Sequence, residues 1–244
     1  MTQAVHTLLE QMEQDYKIKI LYACEAGSRA YGVATSDSDY DIRMIYVSPL
    51  KRYLSLKRDE DTITYFNSKW DIQGWDVQKA LTLALKSNPS LYEWMQSPIC
   101  YIKEPAFFEN LKGVTSEFST RTLAEHYWNM ARRNHKLFDK KGDPTFLFHA
   151  LRATLMVEKL LVFSPPSINV TSLAESSSVF DKTELQQILS AKYCDLHNNK
   201  GLNSLLNKIS VYLQEIEKEV SLLPSTRPAF EHLNDLFYRQ LGIN

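Results

Sequence analysis

From Glu25 to Arg43 the chain reads Glu-Ala-Gly-Ser-Arg-Ala-Tyr-Gly-Val-Ala-Thr-Ser-Asp-Ser-Asp-Tyr-Asp-Ile-Arg, a stretch whose residue types suit phosphate and metal chemistry. Gly27 permits a positive φ and close approach of the backbone, and Ser28 offers a hydroxyl and an amide to phosphate oxygens. Asp39 and Asp41 are one residue apart at the head of an apparent strand, so side-chain alternation projects both carboxylates to one face. Hard oxygen ligands of this kind suit Mg²⁺ that also coordinates substrate phosphates, and a pair of such ions stabilises both the attacking and the leaving oxygen of an in-line displacement. Phosphoryl transfer depends on that neutralisation of charge. A Gly-Ser turn alone is a weak signal, and Asp37-Ser-Asp-Tyr-Asp alone reads as a solvated turn. The combination carries the inference: ten residues separate Ser28 from Asp39, apolar strand-like runs flank both, and Arg43 repeats the parity of Asp39 and Asp41.

Several elements must hold these residues. Val5, Leu8, Leu9 and Met12 make the stripe of an amphipathic helix ending near Tyr16. Strands are expected at Ile18 to Cys24, Ile42 to Val47, Thr62 to Phe66 and around Trp70 to Ile72. Asp76 is placed to cap a helix carrying Val77, Ala80, Leu81 and Ala84, which Asn88-Pro89 terminates, and a short helix starts near Leu91. Beyond about residue 105 helical patterns dominate: Arg121 to Asp139, Pro144 to Phe163, Lys182 to Lys192 and Leu202 to Leu222. In the last of these, Leu202, Leu205, Leu206, Ile209, Leu213 and Ile216 form one apolar stripe. The expected architecture is α+β, with strands and helices over 1–104 followed by a helical domain over 105–244.

The bulk composition limits the classes. With 244 residues, 44% hydrophobic and 23% charged, the chain can bury a real core and lacks the signature of disorder. A net charge of -1 means that any contact with nucleic acid must come from a local basic patch. Cys24, Cys100 and Cys194 are too few and too scattered for a disulfide framework or a clustered zinc site, which favours a reducing compartment, the cytoplasm. No apolar run approaches the roughly 18 residues that span a bilayer, so no membrane partner is expected.

The Gly-Ser turn, the spacer of about ten residues and the Asp-x-Asp before a strand resemble the nucleotidyltransferase superfamily of DNA polymerase β. More narrowly, GSRAYGVATSDSDYDIRMIYV and WDIQGWDVQKALTLALKSNPSLYEWMQSPICY resemble the YcgL-type, RNA-repair-associated nucleotidyltransferases of bacteria and phages, over roughly residues 20 to 166. The resemblance implies a polymerase β-like fold with a small mixed sheet, in a catalytic domain over 1–104 whose substrate cleft the helical domain helps to form. It implies transfer of a nucleoside monophosphate from a triphosphate such as ATP, with two Mg²⁺ ions and release of pyrophosphate. It also implies a third carboxylate on a neighbouring strand, within Trp70 to Asp76. Asp71, inside the strand, suits a metal ligand that also eases deprotonation of the acceptor hydroxyl, and Asp76, at a helix start, suits an N-cap and stays in reserve as the ligand.

The remaining candidates are cations. Arg43 either follows the carboxylates to the triphosphate or pairs with Asp37 or Asp41 at the rim. Arg29 and Lys79 are long cations near the site with solvated surface roles open to them. Arg132, Arg133 and Lys136 form a basic helix face that either receives a polyanionic acceptor or is a solvated exterior over a buried Tyr127 and Trp128. Arg152 matches the arginine that follows an aromatic and a leucine in family members, whereas Thr145 and Phe146 stand where the family has lysines, so no lysine contact carries over; His149 reads as helix packing. The acceptor is an RNA end or a hydroxyl of a partner protein. A contrasting class is a non-catalytic nucleotide- or RNA-binding module or an antitoxin, against which the three carboxylates count.

Overall fold

The computed structural model describes residues 2–57, 60–163, 166–181, 183 and 200–243. The chain forms two compact units, one running to Phe118 and resuming at Thr226, the other spanning Ser119–Ser225. The first unit contains α1 (Thr2–Tyr16), β1 (Lys19–Glu25), the single turn α2 (Gly27–Ala30), β2 (Tyr40–Val47), α3 (Leu50–Tyr53), β3 (Thr62–Phe66), β4 (Trp70–Asp76), α4 (Val77–Leu85), α5 (Pro89–Met95), β5 (Cys100–Lys103) and α6 (Pro105–Thr115). The second is helical, with α7 (Thr120–Lys141), α8 (Pro144–Leu161), α9 (Val170–Glu175), α10 (Lys200–Glu215) and α11 (Glu217–Leu222). A last helix, α12 (Phe230–Leu241), returns to the first unit, where it packs on α4 and α6.

The strands form one mixed sheet in the order β3-β4-β2-β1-β5. β2 and β4 are parallel, while β1 with β2, β1 with β5 and β3 with β4 are antiparallel. One face is closed by α1, whose Val5, Leu9 and Met12 pack with Ile42, Met44, Tyr46, Ile63 and Ile72. Strand alternation sends Asp41, Arg43 and Ile45 of β2, and Asp71, Gln73 and Trp75 of β4, to the other face. There Trp75 stacks on Trp94 of α5 with ring centroids 3.7 Å apart, and α4 lies against both strands. The architecture is α+β, as the sequence implied.

Helix starts follow local chemistry. Asp76, Asn88, Glu104, Ser119, Asp143 and Asn169 each accept a backbone N–H of the first turn of the helix that they precede, and Pro89, Pro105 and Pro144 open three of these helices at a position that needs no donor. α7 and α8 pack along each other, joined through Gly142 (φ 68) and Asp143. The apolar stripe of α10 is buried at Leu205, Leu206, Ile209 and Leu213, continuing at Ile216. The expected helix over Leu202 to Leu222 is divided at Ile216, and the one expected over 182–192 lies outside the described residues. The sheet also holds a strand, β5, that the residue pattern did not announce. The division expected at 104/105 falls inside the first unit, because α6 packs on β1 and α5 and the chain end comes back as α12. Among the described residues, no helix is long and apolar enough to cross a membrane.

Candidate active site

The parallel pairing of β2 with β4 sets Asp41 directly opposite Asp71, and Arg43 opposite Gln73. Arg43 binds both carboxylates: its Nη2 donates to Asp41 Oδ1 at 3.2 Å and to Asp71 Oδ2 at 3.0 Å. Its Nη1 donates to the carbonyls of Ile42 and Asp71, each at 3.0 Å. Of the two pairings that the sequence left open for this arginine, the structure gives that with Asp41 and adds Asp71.

Gly27 abuts the same carboxylate. Its φ is +55°, and a Cβ there would lie 1.9 Å from Asp41 Oδ2, so glycine is required both by conformation and by contact. The Ala26 N–H donates to the Asp41 carbonyl at 2.7 Å and ties the turn to β2. Ser28 follows in α2 and accepts the Val33 N–H on its carbonyl at 2.9 Å. Arg29 braces the loop that leads to Asp39, donating from Nε to the Asp39 carbonyl at 3.0 Å and from Nη2 to the Ser38 carbonyl at 2.6 Å. Asp39 itself is exposed.

Glu25, at the end of β1, was not among the sequence candidates. It is fully buried (0% exposed). Its Oε1 accepts the Asp41 N–H at 2.8 Å and its Oε2 accepts the Tyr101 hydroxyl of β5, so one carboxylate links three strands beside the site. Burial pushes its carboxyl up, against the hydrogen bonds from Tyr101 and the Asp41 amide. A charged residue closing the run Ile20 to Cys24 just before Gly-Ser was the signal that could have found it.

Burial also pushes the Asp41 carboxyl up; the Arg43 guanidinium pulls it down, and the negative charges of Asp39 and Asp71 push it up again. Asp39 and Asp71 each lie within electrostatic reach of Asp41, and carboxylates that repel one another are hard oxygen donors whose repulsion a cation relieves, so the residue types fit a divalent metal. As the side chains stand, no three His, Cys, Asp or Glu among the described residues converge as a ready metal cage; Asp41 and Asp71 meet through Arg43, and Asp39 is exposed.

The other candidates lie elsewhere. Asp76 caps α4 at the opposite end of β4 from Asp71: Oδ1 accepts the Gln78 N–H at 2.9 Å, and Oδ2 accepts the hydroxyls of Tyr53 at 2.8 Å and Ser48 at 3.3 Å. A cavity of about 600 Å³ lies there, among Ser48, Arg52, Tyr53, Asp76 and Lys79, and not around Asp41. Lys79 pairs with Asp61 at 2.7 Å. Arg132, Arg133 and Lys136 are exposed on α7 in the second unit, with Tyr127 buried beneath and the Trp128 Nε1–H donating to the Leu213 carbonyl at 2.8 Å. Arg132 lies over the Trp128 ring, 4.3 Å from its centroid. Arg152 does not join that surface. It is 2% exposed, inside the second unit, with Nη2 3.8 Å from Met130 Sδ, a core position where an acceptor has no access.

The chain has relatives among known proteins. The uncharacterised protein YcgL of Bacillus subtilis (strain 168) is 43% identical over 227 residues, covering 90% of this chain and 85% of that protein. A nucleotidyltransferase-like protein of known structure from Exiguobacterium sibiricum 255-15 aligns over 90% of this chain and 77% of its own, at 12% identity and a TM-score of 0.37. The sequence profile of the RNA repair pathway DNA polymerase beta family matches residues 1–239, nearly the whole chain. With the Gly-Ser turn packed on the first carboxylate strand and the second carboxylate in register beside it, the chain belongs to the RNA repair pathway DNA polymerase beta family.

Proposed function

We propose that this protein is a Mg²⁺-dependent nucleotidyltransferase that moves a nucleoside monophosphate from a nucleoside triphosphate to a hydroxyl at an RNA end and releases pyrophosphate. The observation that carries the reading is the in-register pair Asp41 and Asp71, with Gly27 packed against Asp41 so that backbone approaches the carboxylates closely. Asp39, Asp41 and Asp71 are the residues that would hold two Mg²⁺ ions. When bound, such ions neutralise the triphosphate and polarise the phosphorus under attack. The Ser28 hydroxyl and the amides of the Gly27 turn orient phosphate oxygens. Arg43, held against Asp41 and Asp71, would add its guanidinium charge to the binding of the triphosphate. Asp71, beside the transfer point, receives the proton of the attacking hydroxyl. Arg132, Arg133 and Lys136 supply the local positive charge that a polyanionic acceptor needs on a chain of net charge -1.

The family's connection with RNA repair favours RNA over a protein as the acceptor. The test is incubation with each α-labelled nucleoside triphosphate, Mg²⁺ and either total RNA or cell lysate, followed by identification of the labelled macromolecule. Label in RNA is the expected result; label in protein alone would replace the RNA end with a protein hydroxyl, and no label with any triphosphate would remove the transferase reading.

A further inference from the structure

At the ends of β2 and β4 that carry Asp41 and Asp71, the intervening residues point to the other face of the sheet and build a ladder of cations and rings. Tyr40 and Trp70 are register partners, one residue before Asp41 and Asp71, and their rings lie 4.8 Å apart. The Arg29 guanidinium covers Tyr40 at 3.9 Å and the Lys69 ammonium covers Trp70 at 4.8 Å. None of the four is buried, and Lys69 is exposed. At the Arg29 end a cavity of about 380 Å³ opens among Arg29, Tyr40, Tyr101, Ile99, Gly32 and Val5, within the size range of small-ligand sites.

We propose that this ladder and its cavity are the docking surface for a single-stranded segment of the RNA acceptor, a reading that rests on the proposed function. Stacking and charge both select that occupant. Every base has a face to stack and every phosphate needs a counter-charge. Arg29 offers its guanidinium plane over Tyr40, and the exposed Lys69 can yield the outer face of Trp70 to a base and turn its ammonium to the phosphate. Arg29 has given Nε and Nη2 to carbonyls, and the rest of its donor fork remains for a phosphate oxygen. Without Mg²⁺, Asp39, Asp41 and Asp71 repel a phosphodiester chain, whereas Arg29 and Lys69 stand at the same strand ends on the opposite face. A strand held there reaches the carboxylates by passing over the ends of β2 and β4. Tyr101 lines the cavity and also donates to Glu25, which holds the Asp41 amide, so the docking surface and the carboxylate site share a wall.

The test is titration of a fluorescent single-stranded oligoribonucleotide, and of the same sequence as duplex, into the full-length protein without triphosphate. Wild type should bind the single strand more tightly than the duplex. Trp70→Ala should weaken single-strand binding about tenfold or more. Tyr40→Phe, which keeps a ring, should bind as wild type does, while Tyr40→Leu should not. Lys69→Ala, at an exposed position that the fold does not need, should flatten the slope of log affinity against log salt by about 0.7. Melting curves and Mg²⁺-triphosphate affinity should stay near wild type in Lys69→Ala and Tyr40→Phe. Single-strand affinity and salt slope unchanged in Trp70→Ala and Lys69→Ala would overturn the proposal, as would a wild type that prefers duplex or binds no RNA. If the variants lose RNA binding but wild type transfers no nucleotide to RNA, the docking surface stands and the transferase reading falls; if RNA is labelled equally by wild type and Lys69→Ala with equal affinity, the reverse holds.

Discussion

Among single residues, two aspartates five positions apart on one strand have separate duties. Asp71 faces Asp41 and Arg43, while Asp76 is occupied by the first turn of α4 and by the hydroxyls of Tyr53 and Ser48. Asp71→Asn should therefore lower transfer about as much as loss of Asp41. Asp76→Asn should retain most activity, because its oxygen still caps the helix, and Asp76→Ala should cost about 1 to 2 kcal/mol of stability. Steady-state rates with parallel melting curves decide this, and an inactive but stably folded Asp76→Asn would move the metal-ligand role to that end of β4. Arg43 yields a second expectation. It is the cation between two half-buried carboxylates, so Arg43→Met leaves them repelling each other. Its melting temperature should fall in EDTA and recover with millimolar Mg²⁺ by several degrees more than wild type does. Equal responses in the two proteins would show that Arg43 and the metal do not share these ligands. The placing of Gly27 and Asp41 was legible in the Gly-Ser turn and the strand after it, whereas Asp71 came from the family resemblance and its position inside a strand; the structure sets Gly27 against Asp41 and Asp71 opposite it. Glu25 was not read, because its importance lies in two partners, one of them 76 positions away in sequence, and no local pattern announces a contact of that separation.

Among the elements, that same glutamate is the joint. Glu25 fastens the end of β1 to the head of β2 and, through Tyr101, to β5. Glu25→Ala strands a buried amide and a hydroxyl and should destabilise the protein by about 2 to 4 kcal/mol, with a loss of activity larger than the loss of folded protein. Glu25→Gln keeps an acceptor for the Asp41 N–H and a donor for the tyrosine oxygen, so it should restore most of both. A Gln variant as impaired as Ala would show that the negative charge of Glu25, not its hydrogen bonding, is what the site uses. The elements carrying strong periodicity were legible: α1, β1 to β4, α4, α7 and α8 fall where the apolar spacing puts them, within a few residues. β5 was missed because four residues at the sheet edge, none of them buried, show neither alternation nor an apolar run. α12 has an apolar stripe, but that local pattern says nothing of where a helix docks, and only the fold reveals that the chain end packs on α4 and α6.

For the molecule as a whole, the near-neutral charge makes location decisive. Positive charge for an acceptor has to be local, and Arg132, Arg133 and Lys136 present it together on the exposed side of α7. Replacing all three with Ala should weaken RNA binding and reduce the slope of log affinity against log salt, by somewhat less than one unit for each phosphate that the variant no longer neutralises, with triphosphate binding near normal. An unchanged slope with intact affinity would assign this face to solvent. The division of the chain into two units was legible only as a change of composition near residue 105, because a composition shift marks where strands stop and not where packing stops.

Whether the carboxylates on β2 and β4 drive nucleotidyl transfer is decided by single-turnover transfer from an α-labelled triphosphate to RNA in saturating Mg²⁺, comparing wild type with Asp41→Asn. The substitution keeps the side-chain volume and removes the charge beside Gly27 and Arg43. Transfer is expected in wild type, with a rate at least about a thousandfold lower in the variant. The melting temperature of the variant should be near or above that of wild type, because burial and like charge already disfavour the carboxylate. Transfer at the wild-type rate by a folded Asp41→Asn protein would contradict a carboxylate-held metal site on these strands.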